Sequence, residues 1–221
     1  MERISSGRDG DRGARLVFGS GAHDALRRYQ WVLRVTRSSG SLYSRLLGPA
    51  WAQLAEPLHV LHGSSAVRAH GRFRVERGRH PVAALVAGLM RLPRTAAAVD
   101  TRLVITRGDD VELWSRTFDN RRLETRQYVV GDAVLAERFG AIEYRFRLEA
   151  SDGSLLFHQV GAALMVGSLR MRLPAICAPA IDAREGPVSA RRVAVSVRID
   201  VPAGGRVLSY DGVIDIEESP A

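Results

Sequence analysis

From Val99 onward the chain is a succession of alternating runs whose connections leave room for little except hairpins. The candidate strands are Val99–Arg107, Val111–Phe118, Arg121–Val130, Ala133–Phe139, Ile142–Ala150, Ser154–Val166, Ser168–Leu173, Ile181–Arg184, Ser189–Val201 and Arg206–Ile216. They are separated by "RGDD", "FDNR", "VGDA", "SDGS" and "PAGGR". A parallel crossover needs about a dozen residues or more, so these links predict antiparallel pairing. A strand as long as Ser154–Val166 would run about 40 Å at roughly 3.3 Å per residue, and twist must curl it. The expected fold is α+β but mostly antiparallel β: a strongly curved sheet or half-barrel with short helices near the N-terminus packed against it.

Those helices are written into "SLYSRLLGPAWAQLAEPLHVLH", where Leu42, Leu46, Leu47, Trp51, Leu54, Leu58 and Leu61 recur at helical spacing, broken by Gly48-Pro49 and Pro57. A strand follows in "SSAVRAHGRFRVERG", with Val67, Ala69, Gly71, Phe73 and Val75 on one face and Arg68, His70, Arg72, Arg74 and Glu76 on the other. Pro81 then opens the apolar helix "HPVAALVAGLMRLP", which Pro93 stops. A helix apolar nearly all round is expected to be buried on several sides or to cover a cavity mouth. Residues 1–40 show no sustained period apart from a short helical stretch around Asp24–Arg34, and are expected to form a flexible extension to a single domain over 41–221.

The formal net charge is +8 over 221 residues, and all 32 basic residues are arginine. Coding bias explains that choice more simply than phosphate binding. Residues 1–40 hold eight arginines and four acids, leaving 24 and 20 for the remainder, so the folded region lacks a basic stripe and no specific nucleic-acid partner is expected. The single cysteine, Cys177 in "PAICAPA", excludes an internal disulfide and has no histidine or acid beside it. "PVAALVAGLM" falls short of the ~20 residues of a membrane-spanning helix, and "MERISSGRDGDRGAR" is too charged for a signal peptide. A cytoplasmic location is expected.

Chemistry-bearing motifs are weak. Gly19-x-Gly21 opens a dinucleotide fingerprint, but Asp24 stands where its third glycine belongs. Glu56-x-x-His59-x-x-His62 has helical metal-ligand spacing, but contains a proline and has no partner motif. Asp109-Asp110 and Glu217-Glu218 read as turn and tail residues. Nothing resembles a nucleophile elbow, a P-loop or a zincin helix, so no catalytic residue, cofactor or metal is expected. In "AIEYRFRLEA", Ile142, Tyr144, Phe146 and Leu148 share one face while Glu143, Arg145, Arg147 and Glu149 alternate on a wet, self-neutralising one. The polar residues Gln127, Arg138 and His158 have apolar neighbours on their own faces, and Trp114 with Arg116 forms a possible stacking and anion-binding pair. Phe157 and His158 have opposite parity, and burial favours the aromatic face as the inner one. The candidate ligand-binding residues are therefore Tyr144, Phe146, Phe157, Trp114, Arg116, Gln127, Arg138 and His158.

Taken together, "LYSRLLGPAWAQL", "GRFRVERG", "LMRLP", "ELWSRTFDNRRLETRQ", "ERFGAIEYRFRLEASDG" and "MRLPAICAPAIDARE" resemble the bacterial domain of unknown function 4166 family, in order over about residues 41–218. The 40-residue leader and "GAALMVGSLRMRLP" depart from its usual pattern. The resemblance implies no catalytic residues. It does imply a type of protein partner, since members occur alone or joined to reductase- or epimerase-like dinucleotide domains. Two functions follow as expectations: a non-catalytic module holding an apolar or lipid-like small molecule in a cavity of the curved sheet, or an accessory domain serving a reductase-type enzyme. An enzyme would need an acid or base in the cavity that spacing does not reveal.

Overall fold

The computed structural model describes residues 40–217. The expected N-terminal extension and its Gly19-x-Gly21 fragment lie outside these residues, as does Glu218.

Ser41 starts the first helix, α1 (Leu42–Leu47), with its side chain accepting from the Ser44 amide at 3.2 Å. Gly48-Pro49 ends it and turns the chain into a 3-10 helix, Gly48–Gln53. Pro57 then sits in the first turn of α2 (Glu56–Gly63). The predicted leucine face is the buried one: Leu42, Leu46, Leu47, Leu54, Leu58 and Leu61 all lie in the core, with Trp51 half-buried beside them.

Next come β1 (Ala66–Arg77), α3 (Pro81–Leu89), β2 (Ala96–Arg107), β3 (Val111–Phe118), β4 (Arg121–Val130), β5 (Val134–Phe139), β6 (Ile142–Ser151) and β7 (Ser154–Val166). The last elements are β8 (Leu169–Arg172), β9 (Ala180–Ser189), β10 (Arg192–Val201) and β11 (Gly205–Ile216). All strand pairings are antiparallel. The half-barrel expectation needs correcting, because β6 pairs with β7, β7 with β9, and β11 with β1, so ten strands close into a ring and only β8 lies off it. Closure is narrowest between β7 and β9, which are joined by three residue pairs, Leu155 to Phe157 with Glu185 to Ala183.

Bulges help bend the strands. On β7 the pairing slips between Arg145↔Gly161 and Phe146↔Gln159, which leaves Val160 unmatched. Because that bulge lies beyond His158, it does not exchange Phe157 and His158 between faces. At the β1–β11 pairing, a Cβ on Gly71 would stand 2.1 Å from the Val213 carbonyl oxygen, and one on Gly212 would stand 2.7 Å from the Phe73 ring. The two glycines let the backbones approach and give Phe73 its place inside.

The two barrel ends differ. One end receives α1, the 3-10 helix and α2 together with the turns after β2, β4, β6 and β9. At the other lie the β1–β2 segment with α3, the turns after β3, β5 and β10, and the β7–β9 connection with β8. Of the two placements expected for α3, burial on several sides is not the one observed. Only Ala83 and Ala87 are buried, while Val82, Leu85 and Leu89 are exposed, the last two at 73% and 83%. Small residues explain the placement: Ala83 and Val82 sit close against Gly78 and Gly204, so α3 rests on the rim by a narrow face.

Candidate binding cavity

A cavity of about 120 Å³ occupies the barrel interior. Its walls are largely apolar, with Leu103, Leu123, Phe146, Phe157, Val195 and Leu208 among them. The floor is Tyr43 from α1, fully buried, whose hydroxyl donates to Gln127 Oε1 on β4 at 2.7 Å. Beside it, His62 of α2 packs on the Tyr43 ring at 3.9 Å between centroids and meets Glu185 of β9 at 2.5 Å through Nε2. A third tie lies just behind: Arg107 donates through Nε to Glu112 at 2.9 Å and through Nη2 to the Leu61 carbonyl at 2.6 Å, while the Trp114 indole donates to the same Glu112 at 3.2 Å. Buried polar groups need such partners, and here each partner fixes a plug helix or a wall.

Polar groups also reach the middle of the space. Arg116 on β3 lies over the Trp114 ring, 4.8 Å from its centroid, and donates through Nη1 to Thr125 Oγ1 at 3.1 Å. Glu137 on β5 stands 3.6 Å from the same guanidinium, beyond hydrogen-bond range. Arg116 Nε and Nη2 make no hydrogen bond among the described residues and remain able to donate. Burial alone would lower the Arg116 pKa, but Tyr210, Glu137, Tyr43 and Glu185 outweigh it and leave the pKa raised, so the side chain stays charged. Burial, reinforced by Glu185, Glu112 and Glu137, pushes the Tyr43 hydroxyl well above its ordinary value. It pushes Tyr210 up to about 12 and raises Tyr144 as well. These phenols stay neutral and able to donate at ordinary pH.

Six of the eight candidate residues line this one space: Tyr144, Phe146, Phe157, Trp114, Arg116 and Gln127. The structure places the other two outside it. Arg138 is on the outer parity of β5 and donates through Nε to the Gly140 carbonyl at 3.1 Å. His158 is on the outer face of β7, where it meets Glu149 at 2.7 Å with both side chains about half exposed. Sequence reasoning missed Tyr43, Glu137, Glu185 and Tyr210. Their signal was alternation with inward neighbours, in Leu135-x-Glu137-x-Phe139 and Ile181-x-Ala183-x-Glu185. The Glu56, His59, His62 spacing does not assemble: His59 lies against Trp51, His62 turns to Glu185, and no potential metal cluster occurs among the described residues.

On the outside the arginines pair as their alternation implied: Arg72 with Asp100, Arg192 with Asp215 and Arg145 with Glu143. The exposed pairs Arg72–Asp100 and Arg192–Asp215 contribute little each, whereas the Glu143 carboxylate is buried. Among the described residues no helix is long and apolar enough to cross a membrane.

Fold and site together define a closed antiparallel β-barrel, plugged at one end by helices, with a small apolar cavity around a charged arginine. The chain belongs to the domain of unknown function 4166 family, whose model matches residues 54–214. That range starts at Leu54, just before α2, and takes in the ring of strands as far as Ile214 on β11. Neither the curated proteins nor the solved structures compared with the chain contain a match.

Proposed function

We infer that this barrel is a non-catalytic module that holds a small apolar molecule in its interior and orients it by a hydrogen bond from Arg116 to the ligand's acceptor end. The observation that carries this reading is the guanidinium itself. It is charged, stacked on Trp114, and has donors left over inside a largely apolar space that also holds Glu137 at 3.6 Å. Pockets for small molecules commonly combine apolar walls with a few placed polar groups. The space of about 120 Å³ is nevertheless below the ~300–1,000 Å³ of drug-sized sites. It is smaller than a cavity of roughly 150 Å³, which holds benzene, and so suits the end of a chain rather than a substituted ring.

The same smallness favours a second reading, an accessory domain serving a reductase- or epimerase-type enzyme, in which Phe73, Phe118 and Tyr210 pack as ordinary core. Their ring centroids lie 5.3 to 6.0 Å apart, the spacing of packed aromatic pairs. Mass spectrometry of an organic extract separates the two. The binding reading expects an apolar compound with an acceptor group from the purified wild type, at least tenfold depleted in Arg116→Met. An empty extract, with small probes such as butyrate failing to raise the melting temperature, leaves the accessory domain.

A further inference from the structure

The end of the barrel opposite the helical plug is unusually apolar for a free surface. Exposed Val82, Leu85 and Leu89 lie on α3 at this end, and exposed Val166, Leu169, Met171 and Ile176 lie on the connection from β7 to β9. These are seven of the thirteen large apolar side chains exposed among the described residues, gathered on two rim segments. Scattered exposure is normal, but concentration at one end is not. Part of the cavity wall at this end is half-buried, at Phe139, Ile181 and Ile199, while Leu92, Phe118 and Leu208 cover the rest of it.

Charge decides what this rim fits. Residues 77–95 contain Arg77, Arg79, Arg91 and Arg94 with no aspartate or glutamate, and residues 166–180 contain Arg170 and Arg172 with none either. Elsewhere on the surface arginines alternate with acids and pair with them, as Arg72 does with Asp100 and Arg192 with Asp215. Arg77 is occupied in holding the turn by donating to the Pro93 and Leu92 carbonyls, and Arg170 pairs with Glu143. Arg79, Arg91, Arg94 and Arg172 are exposed and enter no ion pair among the described residues.

Protruding leucine and isoleucine side chains flanked by unpaired arginines, on two segments that carry no acid, match an interface that is apolar at depth and anionic at its surface, with Asp119 and Asp200 on other parts of the same rim. We propose that this rim docks onto an anionic lipid bilayer, with Leu85, Leu89 and Ile176 entering the acyl boundary and Arg79, Arg91, Arg94 and Arg172 at the phosphate level. Docking in this pose turns the barrel mouth toward the lipid and gives an apolar molecule a path that avoids water. Docking itself does not depend on what fills the cavity, so it stands or falls separately from the binding reading.

The only cysteine, Cys177, is exposed and adjacent to Ile176, so it can carry an environment-sensitive fluorophore in the full chain without any substitution. With vesicles of phosphatidylcholine containing 30% phosphatidylglycerol, the expected result is a blue-shifted, brighter emission. Binding should weaken at least tenfold in L85D/L89D/I176D, or when the vesicles are pure phosphatidylcholine. Three results would overturn the proposal. One is emission that does not change on vesicle addition. Another is equal binding by a folded triple variant, which would assign binding to the arginines of residues 1–39. The third is a concentration-dependent dimer in light scattering that the triple variant abolishes, which would make a second copy of the chain the occupant.

Discussion

The two ends of the barrel are built from different materials. At the plugged end, polar side chains are buried and each serves as a tie: Tyr43 to Gln127, His62 to Glu185, and Arg107 to Glu112 and the Leu61 carbonyl. At the mouth, α3 rests on two alanines and shows its leucines to solvent, and the closest polar knot lies outside the barrel, where Tyr128, Arg145 and Arg170 all donate to Glu143. The difference teaches where stability and where function are to be sought. Ties with buried partners are costly to break, whereas an end held by small residues can carry exposed apolar groups at little cost to the fold.

That contrast can be broken by substitution. The largest effect is expected from Glu112→Ala, which strands the buried Arg107 guanidinium and removes the acceptor of Trp114. Orphaning one member of a buried pair costs about 3–5 kcal/mol. At ~2–4 °C per kcal/mol for a domain of this size, thermal unfolding should fall by roughly 10 °C. Tyr43→Phe should cost less, about 1–3 kcal/mol, because it leaves only Gln127 buried without its donor. Denaturant midpoints at constant slope would measure both.

A smaller effect concerns the knot at the mouth. Burial would raise the Glu143 pKa, but hydrogen bonds from Tyr128, Arg170 and Arg145 outweigh it and leave the pKa lowered. A carboxylate whose folded pKa is depressed adds stability above its ordinary value and loses it as pH falls through the lowered one. Stability of the wild type should therefore decline more steeply between pH 7 and pH 3 than that of Glu143→Gln. Parallel declines would mean that Glu143 is not what the acid limb reports. The smallest effect is expected from Leu89→Ser on α3, within about 0.5 kcal/mol of the wild type, as for most surface changes. A loss comparable to that of Tyr43→Phe would erase the distinction between the two ends.

Much of the strand content was legible, because alternation and turn chemistry are local. Val111–Phe118, Arg121–Val130 and Ser154–Val166 have the bounds that their sequences imply. Closure was not legible, since it depends on β7 pairing with both β6 and β9, and nothing local announces a partner that distant in sequence. β9 also runs on to Ser189 through Gly186-Pro187, where the sequence suggested a break. Parity brought Tyr144, Phe146, Phe157, Trp114, Arg116 and Gln127 to one interior. It failed at Arg138 because "VLAERF" buries both Leu135 and Ala136, so only Phe139 tells which face is inward. His62 was hidden for another reason: its partner Glu185 is 123 residues away.

The central claim is that the barrel encloses accessible apolar space between a helical plug and a less covered opposite end. Its most direct test is a crystal of the full chain pressurised with xenon, an apolar atom that enters dry protein cavities. Ordered xenon is expected inside the ring, against Phe146, Phe157 and Trp114. A crystal that takes up xenon elsewhere but shows none in the barrel interior would contradict the claim and leave the ring of strands with a filled core.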